Sequence, residues 1–319
     1  MTARALLLLM LLAVPARAES GLLTIPPGSG PVLVEFKLHV IDLNYIRTSE
    51  QSFSLVGEYQ TYWQDARLAF QPGPGEERER RYAAGEVWSP QIRFSNAQDV
   101  VVHNDSGMVV EPDGRVRRAV KFRAAANSPF NFRAFPFDRT RLRLFVEPAT
   151  FSSHRVRLKS AGAGMDPVLL FDGEWDIEQI RCRPTDRSLE YGIEIRRRVG
   201  FYLWSFFLPL TLITVTSWMQ YWSMPPNLQV TSTAIVGLVA YKFTLANILP
   251  RINYLSYADG FFLFCLFWIF TTHALTTRVL FLHEQGHDQR KERLRIFGRW
   301  FFVAGFLVGN ALIAWIFLT

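Results

Sequence analysis

The sequence predicts an immunoglobulin-like β-sandwich outside the membrane, followed by an all-α domain of four transmembrane helices. Three observations predict this fold class. A short apolar leader opens the chain, a long polar segment with many strand-like patterns follows, and four apolar stretches begin at Val199. The predicted boundaries are 1–18 for a signal peptide, 19–198 for the exported domain and 199–319 for the transmembrane domain.

The leader has the pattern of a secretory signal peptide. Arg4 supplies the positive start, residues 5–14 are an apolar run of ten, and residues 16–18 have the small-x-small form that signal peptidase needs. The run is too short to span a bilayer, because crossing about 30 Å of hydrocarbon takes about 20 residues. We therefore expect cleavage after Ala18 and export of the segment that follows.

Residues 31–198 contain many short strand patterns separated by turn signals, such as Gln71-Pro-Gly-Pro-Gly and Glu111-Pro-Asp-Gly. No stretch has a sustained helical period. Many strands at a spacing of about 8–12 residues predict an antiparallel sandwich. The predicted strands are 32–41, 53–63, 116–122, 141–146, 175–180 and 191–197.

Basic residues predict the orientation of the four helices, at about 199–221, 226–249, 254–282 and 296–318. The loop between the second and third helices holds only Arg251. The loop between the third and fourth is rich in Arg and Lys, and such loops face the cytoplasm. This orientation agrees with an exported N-terminal domain. The basic residues from the end of the third helix to the start of the fourth are Arg278, Arg290, Lys291, Arg293 and Arg295.

The charge distribution excludes a nucleic-acid partner. The net charge is +7, but residues 19–198 carry 25 basic and 24 acidic side chains, so the exported domain is nearly neutral. A nucleic-acid binder would concentrate basic residues on one folded face. The two cysteines, Cys182 and Cys265, cannot form a disulfide framework and are predicted to be free thiols.

The second helix carries a polar stripe, which indicates either a pore or contacts between helices. Polar groups within a membrane usually face water or a bundle interior. Lys242 lies off the stripe near the outer helix end, so we expect it to snorkel toward the interface rather than charge a pore. The stripe recurs at spacings of three and four residues and consists of Gln229, Thr233, Val236, Ala240, Phe243 and Asn247.

A series of motifs, in order, resembles those of the pentameric ligand-gated ion channels, over essentially the whole chain after the leader. Eukaryotic members close the Phe-Pro-x-Asp loop with a disulfide, but the flanking positions here are Ser128 and Leu142. That difference, with the short cytoplasmic loop, resembles the bacterial members. The motifs are Trp63-Gln-Asp-Ala-Arg-Leu-Ala-Phe, Val87-Trp-Ser-Pro, Pro112-Asp-Gly, Ser128-Pro-Phe-Asn-Phe-Arg-Ala-Phe-Pro-Phe-Asp, Trp175-Asp-Ile, Arg197-Arg-Val-Gly-Phe-Tyr, Pro209 and Asn247-Ile-Leu-Pro.

The resemblance implies a homopentamer in the bacterial inner membrane, with a periplasmic N-terminal domain, surrounding lipid and no cofactor or metal. Five second helices would line a pore for monovalent ions, opened by a small-molecule agonist or by protons. Bacterial members are largely cation-selective, so the resemblance favours a cation channel. An anion-selective channel is the alternative, since Pro225 resembles that branch, although Asn227 stands where its Arg is expected.

The resemblance also places an agonist site between exported domains. Its two acids and one Arg favour a zwitterion, a carboxylate or protons over a quaternary amine, and carboxylates buried between subunits can titrate near neutral pH. A solvated, salt-bridged surface is the alternative. The implied ligand-binding residues are Glu58, Arg93, Glu147, Phe151 and Tyr191.

A second implied site couples the exported domain to the pore. Glu50, Asp138 and Arg197 would form a charge cluster at the domain boundary, and two arrangements of such a cluster would make a switch. Ordinary structural pairing is the alternative. The implied coupling residues are Glu50, Pro136, Asp138, Arg197, Pro250 and Tyr254.

Two other functions are alternatives to that of a channel. His283-Glu284-Gln-Gly-His287 matches the H-E-x-x-H motif of a membrane-embedded zinc metalloprotease. Gly286 weakens the helix that this motif needs, and no dedicated third ligand follows, so the chain is predicted not to be an enzyme. A membrane-anchored receptor without a pore would need only one span.

Overall fold

The computed structural model describes residues 21–28, 30–75, 77–149, 155–166, 173–185, 188–222, 227–245 and 253–318. The predicted signal peptide lies outside these described residues. So do three of the predicted site residues, Phe151, Asn247 and Pro250.

The described part of the exported domain forms two packed sheets. One has six strands in the order β3-β5-β6-β2-β1-β8, and the other has four in the order β4-β7-β10-β9. This arrangement confirms the predicted sandwich. The strands are β1 (Val32–Arg47), β2 (Ser52–Gln64), β3 (Arg80–Tyr82), β4 (Ile92–Phe94), β5 (Ala97–Val110), β6 (Arg115–Asn127), β7 (Arg139–Pro148), β8 (Val156–Met165), β9 (Trp175–Pro184) and β10 (Leu189–Arg197).

All six predicted strands are present, but four others, β3, β4, β5 and β8, were missed. β5 and β8 bury few side chains, so they lack the apolar alternation by which a strand is recognised in sequence. β8 also pairs with β1 in parallel, whereas the prediction was purely antiparallel. A parallel edge pair has no local sequence signal, because its partner is far away along the chain.

Aromatic rings from both sheets fill the sandwich core. Phe36 of β1 stacks on Tyr59 of β2 with 5.3 Å between ring centroids, and Phe94 stacks on Phe122 at 4.7 Å. Tyr191 of β10 joins them, 5.8 Å from Phe36. These side chains alternate with outward-facing residues along each strand, which is why the two sheets pack face to face.

Four helices follow the sandwich: α1 (Gly200–Met219), α2 (Leu228–Leu245), α3 (Tyr257–Glu284) and α4 (Asp288–Leu318). Three of them, α1, α3 and α4, are long and apolar enough to cross a membrane. The prediction was four such spans. In the described part of the chain α2 is a shorter apolar helix, and the residues directly after Leu245 lie outside that part.

The α3–α4 connection is shorter than predicted. Gly286, with φ of 75°, terminates α3 in the left-handed conformation that glycine adopts without strain. α4 then begins at Asp288, about two turns before the predicted start. Its first residues are charged, and the sequence-based boundary was placed where the apolar residues begin rather than where the helix begins.

Candidate functional site

The predicted stripe on α2 faces away from the rest of its own chain. Val236 is 68% exposed and Phe243 is 75% exposed. The opposite face of α2, with Thr231 and Leu238 fully buried, packs against α1 and α3. Apolar side chains this exposed are costly in water. This face of α2 is therefore available to other copies of the chain or to a pore. Gln229, Thr233 and Ala240 are exposed on the same face.

Three polar contacts hold α2 in place, and the sequence alone did not reveal them. The Asn227 side chain caps the helix by accepting from the Gln229 N–H at 2.8 Å. Inside the bundle, Thr231 Oγ1 lies 2.7 Å from Nδ1 of His273 on α3. Near the outer end, the Tyr241 hydroxyl donates to the Ser205 carbonyl of α1. These contacts orient the stripe outward.

Lys242 forms an ion pair at the start of α3. Its Nζ lies 3.2 Å from Oδ1 of Asp259 on α3 and 4.8 Å from the centroid of the Phe262 ring. Asp259 Oδ2 accepts from the Ser256 hydroxyl at 2.7 Å in the capping box that starts α3. The partner carboxylate lies on another helix, so the sequence alone did not reveal the pair, and snorkelling of Lys242 toward the interface stays a prediction.

Arg197 is the centre of a buried cluster where the two domains meet. It is 4% exposed, and its Nε donates to Asp138 Oδ1 at 2.8 Å. Its Nη1 donates to Glu174 Oε2 at 2.9 Å, and its guanidinium lies 4.0 Å from the centroid of Trp175. Burial alone would lower the pKa of Arg197, but the hydrogen bond and charge of Asp138 outweigh it and raise that pKa.

Glu50 is not part of this cluster. Its carboxylate pairs with Arg47 at 3.1 Å on an exposed turn, so two of the three predicted members meet and the third does not. Glu174, which was not predicted, supplies the second acid to Arg197. The sequence feature that could have indicated Glu174 is its position directly before the Trp175-Asp-Ile motif.

The loop around the Phe135-Pro136 bond, which is cis, forms hydrogen bonds with the start of α3. The Tyr257 N–H donates to the Arg133 carbonyl at 2.8 Å, and the Ala258 N–H donates to the Phe135 carbonyl at 3.2 Å. The first N–H groups of a helix have no partner within the helix, so this loop satisfies them. The predicted coupling residue Tyr254 also contacts it, accepting from the Phe132 N–H at 3.0 Å.

Hydrogen bonds close this loop where relatives with a disulfide would have two cysteines. Ser128 is 1% exposed, and its hydroxyl donates to the Arg141 carbonyl at 3.2 Å and accepts from the Arg143 N–H at 3.1 Å. These two residues flank Leu142, the position opposite Ser128 in the motif. A single buried hydroxyl therefore bridges the two ends of the loop.

The predicted ligand residues lie on different sheets of one chain. Arg93 of β4 and Glu147 of β7 are register partners, and Arg93 Nε donates to Glu147 Oε1 at 3.0 Å. Glu58 of β2 lies on the six-stranded sheet and accepts from Gln60 Nε2 at 2.9 Å. Of the four predicted ligand residues that the structure describes, Arg93 and Glu147 are the two that it brings together.

Tyr191 lies in the sandwich core, where it is 0% exposed and donates to the Phe36 carbonyl at 3.1 Å. Burial raises the pKa of its hydroxyl. In this position it cannot contact a ligand at the surface, so its motif-based assignment is corrected to a core role. The motif alone could not show this, because Tyr191 is the third residue of β10 and its burial depends on Phe36 of the other sheet.

The H-E-x-x-H stretch does not form a metal site. α3 ends at Glu284, so His283 and His287 do not share a helix face. His283 Nδ1 lies 3.3 Å from the Lys291 ammonium, a cation that opposes metal binding. Among the described residues, no group of three His, Cys, Asp or Glu side chains is placed to hold a metal ion.

Comparisons with known proteins agree with this arrangement. Residues 23–202, more than half of the chain, match the model of the neurotransmitter-gated ion-channel ligand binding domain. The chain is 24% identical over 308 residues to a proton-gated ion channel of Gloeobacter violaceus, an alignment that covers 92% of this chain and 85% of that protein.

Two animal relatives match over the same region. The serotonin-gated chloride channel mod-1 of Caenorhabditis elegans is 26% identical over 310 residues, covering 85% of this chain and 60% of that protein. A gamma-aminobutyric acid receptor subunit beta-4 of Gallus gallus is 22% identical over 291 residues, covering 84% and 59%. The chain thus spans about three fifths of these two relatives. All three are channels or receptor subunits by name, not enzymes.

Proposed function

This chain belongs to the family of pentameric ligand-gated ion channels, and from this premise we propose that it forms a homopentameric, cation-selective channel of the bacterial inner membrane. A ligand- or proton-gated membrane channel with an extracellular ligand-binding domain follows from family membership. Selectivity, homomeric assembly, the membrane and the roles of individual residues are the proposal.

The exposed stripe of α2 is the observation that carries the proposal. A single helix cannot enclose an ion path, and five copies arranged in a closed ring would place Val236 and Phe243 of each copy around a common axis. Gln229 and Thr233 form a hydrated inner end. Val236, Ala240 and Phe243 form an apolar stretch that blocks ions by dewetting when it is narrow. Asn247 continues the stripe in sequence, outside the described residues.

The proposed cation selectivity rests on the resemblance to bacterial members of the family. The described stripe residues carry no charge, so they supply neither the Arg or Lys ring of an anion pore nor the Asp or Glu ring of a cation pore. Lys242 is the one basic residue of the helix, and Asp259 neutralises it at 3.2 Å. The alternative of an anion channel rests on the chloride-channel relative and on the uncharged segment before Asn227.

Protons or a small polar molecule are the proposed stimuli. The relatives' names mention protons, serotonin and gamma-aminobutyric acid. In a ring, Glu58 of one subunit would face the Arg93–Glu147 pair of the next, because these residues lie on opposite sheets of the sandwich. A Glu58 carboxylate opposite this ion pair suits a zwitterionic agonist or the direct sensing of protons. Phe151 is the proposed aromatic neighbour.

Lipid is the proposed environment of the outward faces of α1, α3 and α4. They expose large apolar side chains, among them Trp204, Phe267 and Leu307. Such a surface is stable in hydrocarbon and unstable in water.

The proposal is tested by recording currents in oocytes that express the full chain. External pH is stepped from about 4 to 9, within the range where shifted carboxylates and histidines titrate, and serotonin and gamma-aminobutyric acid are applied separately. We expect the reversal potential to shift when an impermeant cation replaces external Na⁺ at constant Cl⁻. A reversal potential that shifts only when external Cl⁻ is replaced would contradict cation selectivity and favour the anion-selective alternative.

A second variant keeps the test decisive if no stimulus opens the channel. Val236→Ser wets the apolar stretch and is expected to give currents without an agonist. Silence of Val236→Ser, with surface expression verified by biotinylation, would contradict the proposed pore.

A further inference from the structure

We propose that the Lys242–Asp259 ion pair is the link through which the exported domain moves the pore helix. This inference rests on the proposed function, since it assigns gating to a pair next to the proposed pore stripe. Lys242 and Asp259 are positioning residues in this account, because they act on the stripe through α2.

A continuous series of short contacts leads from the domain junction to this pair. Asp138, bound to Arg197, lies in the same loop as Phe135, whose carbonyl accepts from Ala258 in the first turn of α3. The next residue is Asp259. Its carboxylate is fixed from two sides, by the Ser256 cap at 2.7 Å and by Lys242 at 3.2 Å. A displacement of the loop is therefore passed to Asp259 within one helical turn.

Lys242 lies directly beside the proposed pore stripe on α2. Phe243 is the next residue on α2, and Val239 and Ala240 lie less than one turn away. The outer half of α2 has a further side-chain contact with the bundle at Tyr241, which bonds to α1 rather than to α3. α1 and α3 both contact the exported domain, α1 through Tyr202, which bonds to Glu174. In the described residues, Lys242 thus gives this half of α2 a charged link to α3 beside the neutral Tyr241 link to α1.

The local environment favours keeping this pair together. The Lys242 and Asp259 side chains are 41% and 25% exposed, and charges near the membrane are costly unless they are paired. Lys242 Nζ also lies over the face of Phe262, which fixes it further. The charged groups of α3 and α2 that face each other here are Asp259 and Lys242. Separating them would leave two unpaired charges, so α2 and the start of α3 are expected to move together.

A double-mutant cycle tests the inference without knowledge of the agonist. Lys242→Met and Asp259→Asn are made singly and together in the Val236→Ser background, and spontaneous open probability is measured in single-channel records. Asn at 259 keeps an oxygen for the Ser256 cap while losing the charge. Each single variant is expected to change open probability about fivefold or more, and the double variant no more than either single one. Lys242→Arg, which keeps the pair, is expected to leave open probability unchanged.

The Lys291–Asp288 pair at the start of α4 is the matched control. Its atoms lie 2.6 Å apart and it joins neighbouring turns of one helix, so its neutralisation is expected to leave open probability unchanged. Additive effects of Lys242→Met and Asp259→Asn would overturn the inference. A change of single-channel conductance at constant open probability would also overturn it and place the pair in the ion path. Silence of the Val236→Ser background would instead refute the proposed pore itself.

Discussion

At the scale of single residues, Arg197 connects segments that are distant in sequence. Asp138 precedes β7, Glu174 precedes β9, and both carboxylates bind the same buried guanidinium. Removing one partner of such a buried charge is costly because the remaining charge stays desolvated. Asp138 and Arg197 could be predicted because each lies inside a recognised motif. Glu174 could not, since its proximity to Arg197 is created only by the fold.

Glu194 of β10 has the clearest pH-dependent role in the exported domain. Hydrogen bonds from Arg141, at 2.6 Å, and from Gln179 lower its pKa below the ordinary 4.5. A carboxyl group with a lowered folded-state pKa stabilises the fold above its unfolded-state pKa, and this contribution is lost as pH falls through the folded-state pKa. We expect Glu194→Gln to lower the thermal midpoint of the purified protein at pH 7. The difference from wild type should shrink below about pH 4.5.

Glu50→Gln serves as the control for Glu194→Gln, because the Glu50–Arg47 pair is exposed and solvent screens it. Thermal unfolding of both variants at pH 7 and at about pH 3.5, below the usual pKa of a free Glu carboxyl, separates the two cases. A Glu194→Gln deficit that stays constant across this range would show that the lost stability does not depend on ionisation.

At the scale of elements, strands could be predicted where one face is buried and the other is exposed to solvent. β1, β2, β6, β7 and β10 follow that pattern over most of their length, whereas β9 buries only Trp175 and was predicted without this pattern. β5 and β8 do not, since most of their side chains are at least partly exposed. The stripe of α2 could be predicted for a similar reason, because its period is helical. Its partners on α1 and α3 could not, because contacts between helices leave no periodic signal.

The Phe-Pro loop gives a prediction at the element scale. Ser128 joins the end of β6 to β7 through two hydrogen bonds in a buried position. Ser128→Ala leaves the Arg143 N–H and the Arg141 carbonyl without this partner, which is expected to cost about 1–3 kcal/mol of unfolding free energy. Denaturant unfolding of the purified protein measures the loss.

Ser106→Ala is the matched control for Ser128→Ala. Its hydroxyl donates one hydrogen bond, at 2.9 Å to the Ala119 carbonyl, in an exposed position. Water replaces such a bond at little cost, so the control should lose less than about 0.5 kcal/mol. Equal losses in the two variants would refute the bridging role of Ser128.

At the scale of the whole molecule, one chain holds only part of the proposed sites. In the proposed ring, Glu58 of one subunit would face the Arg93–Glu147 pair of the next, and the stripes of five α2 helices would together enclose a path. The order of motifs along the sequence was sufficient to predict the two-domain architecture. The internal position of Tyr191 and the pairing of Lys242 required the folded chain, since both depend on neighbours from other elements.

Cysteine accessibility on α2 is the most direct test of the pore assignment. Val236→Cys and Leu238→Cys are compared in a Cys182→Ser background, with a cationic thiol reagent applied while currents are recorded. Val236 is 68% exposed and Leu238 is 0% exposed on the opposite face. We predict that the reagent irreversibly blocks current through Val236→Cys and leaves Leu238→Cys unaffected. Block of Leu238→Cys with no effect on Val236→Cys would contradict the claim that this face of α2 lines the pore.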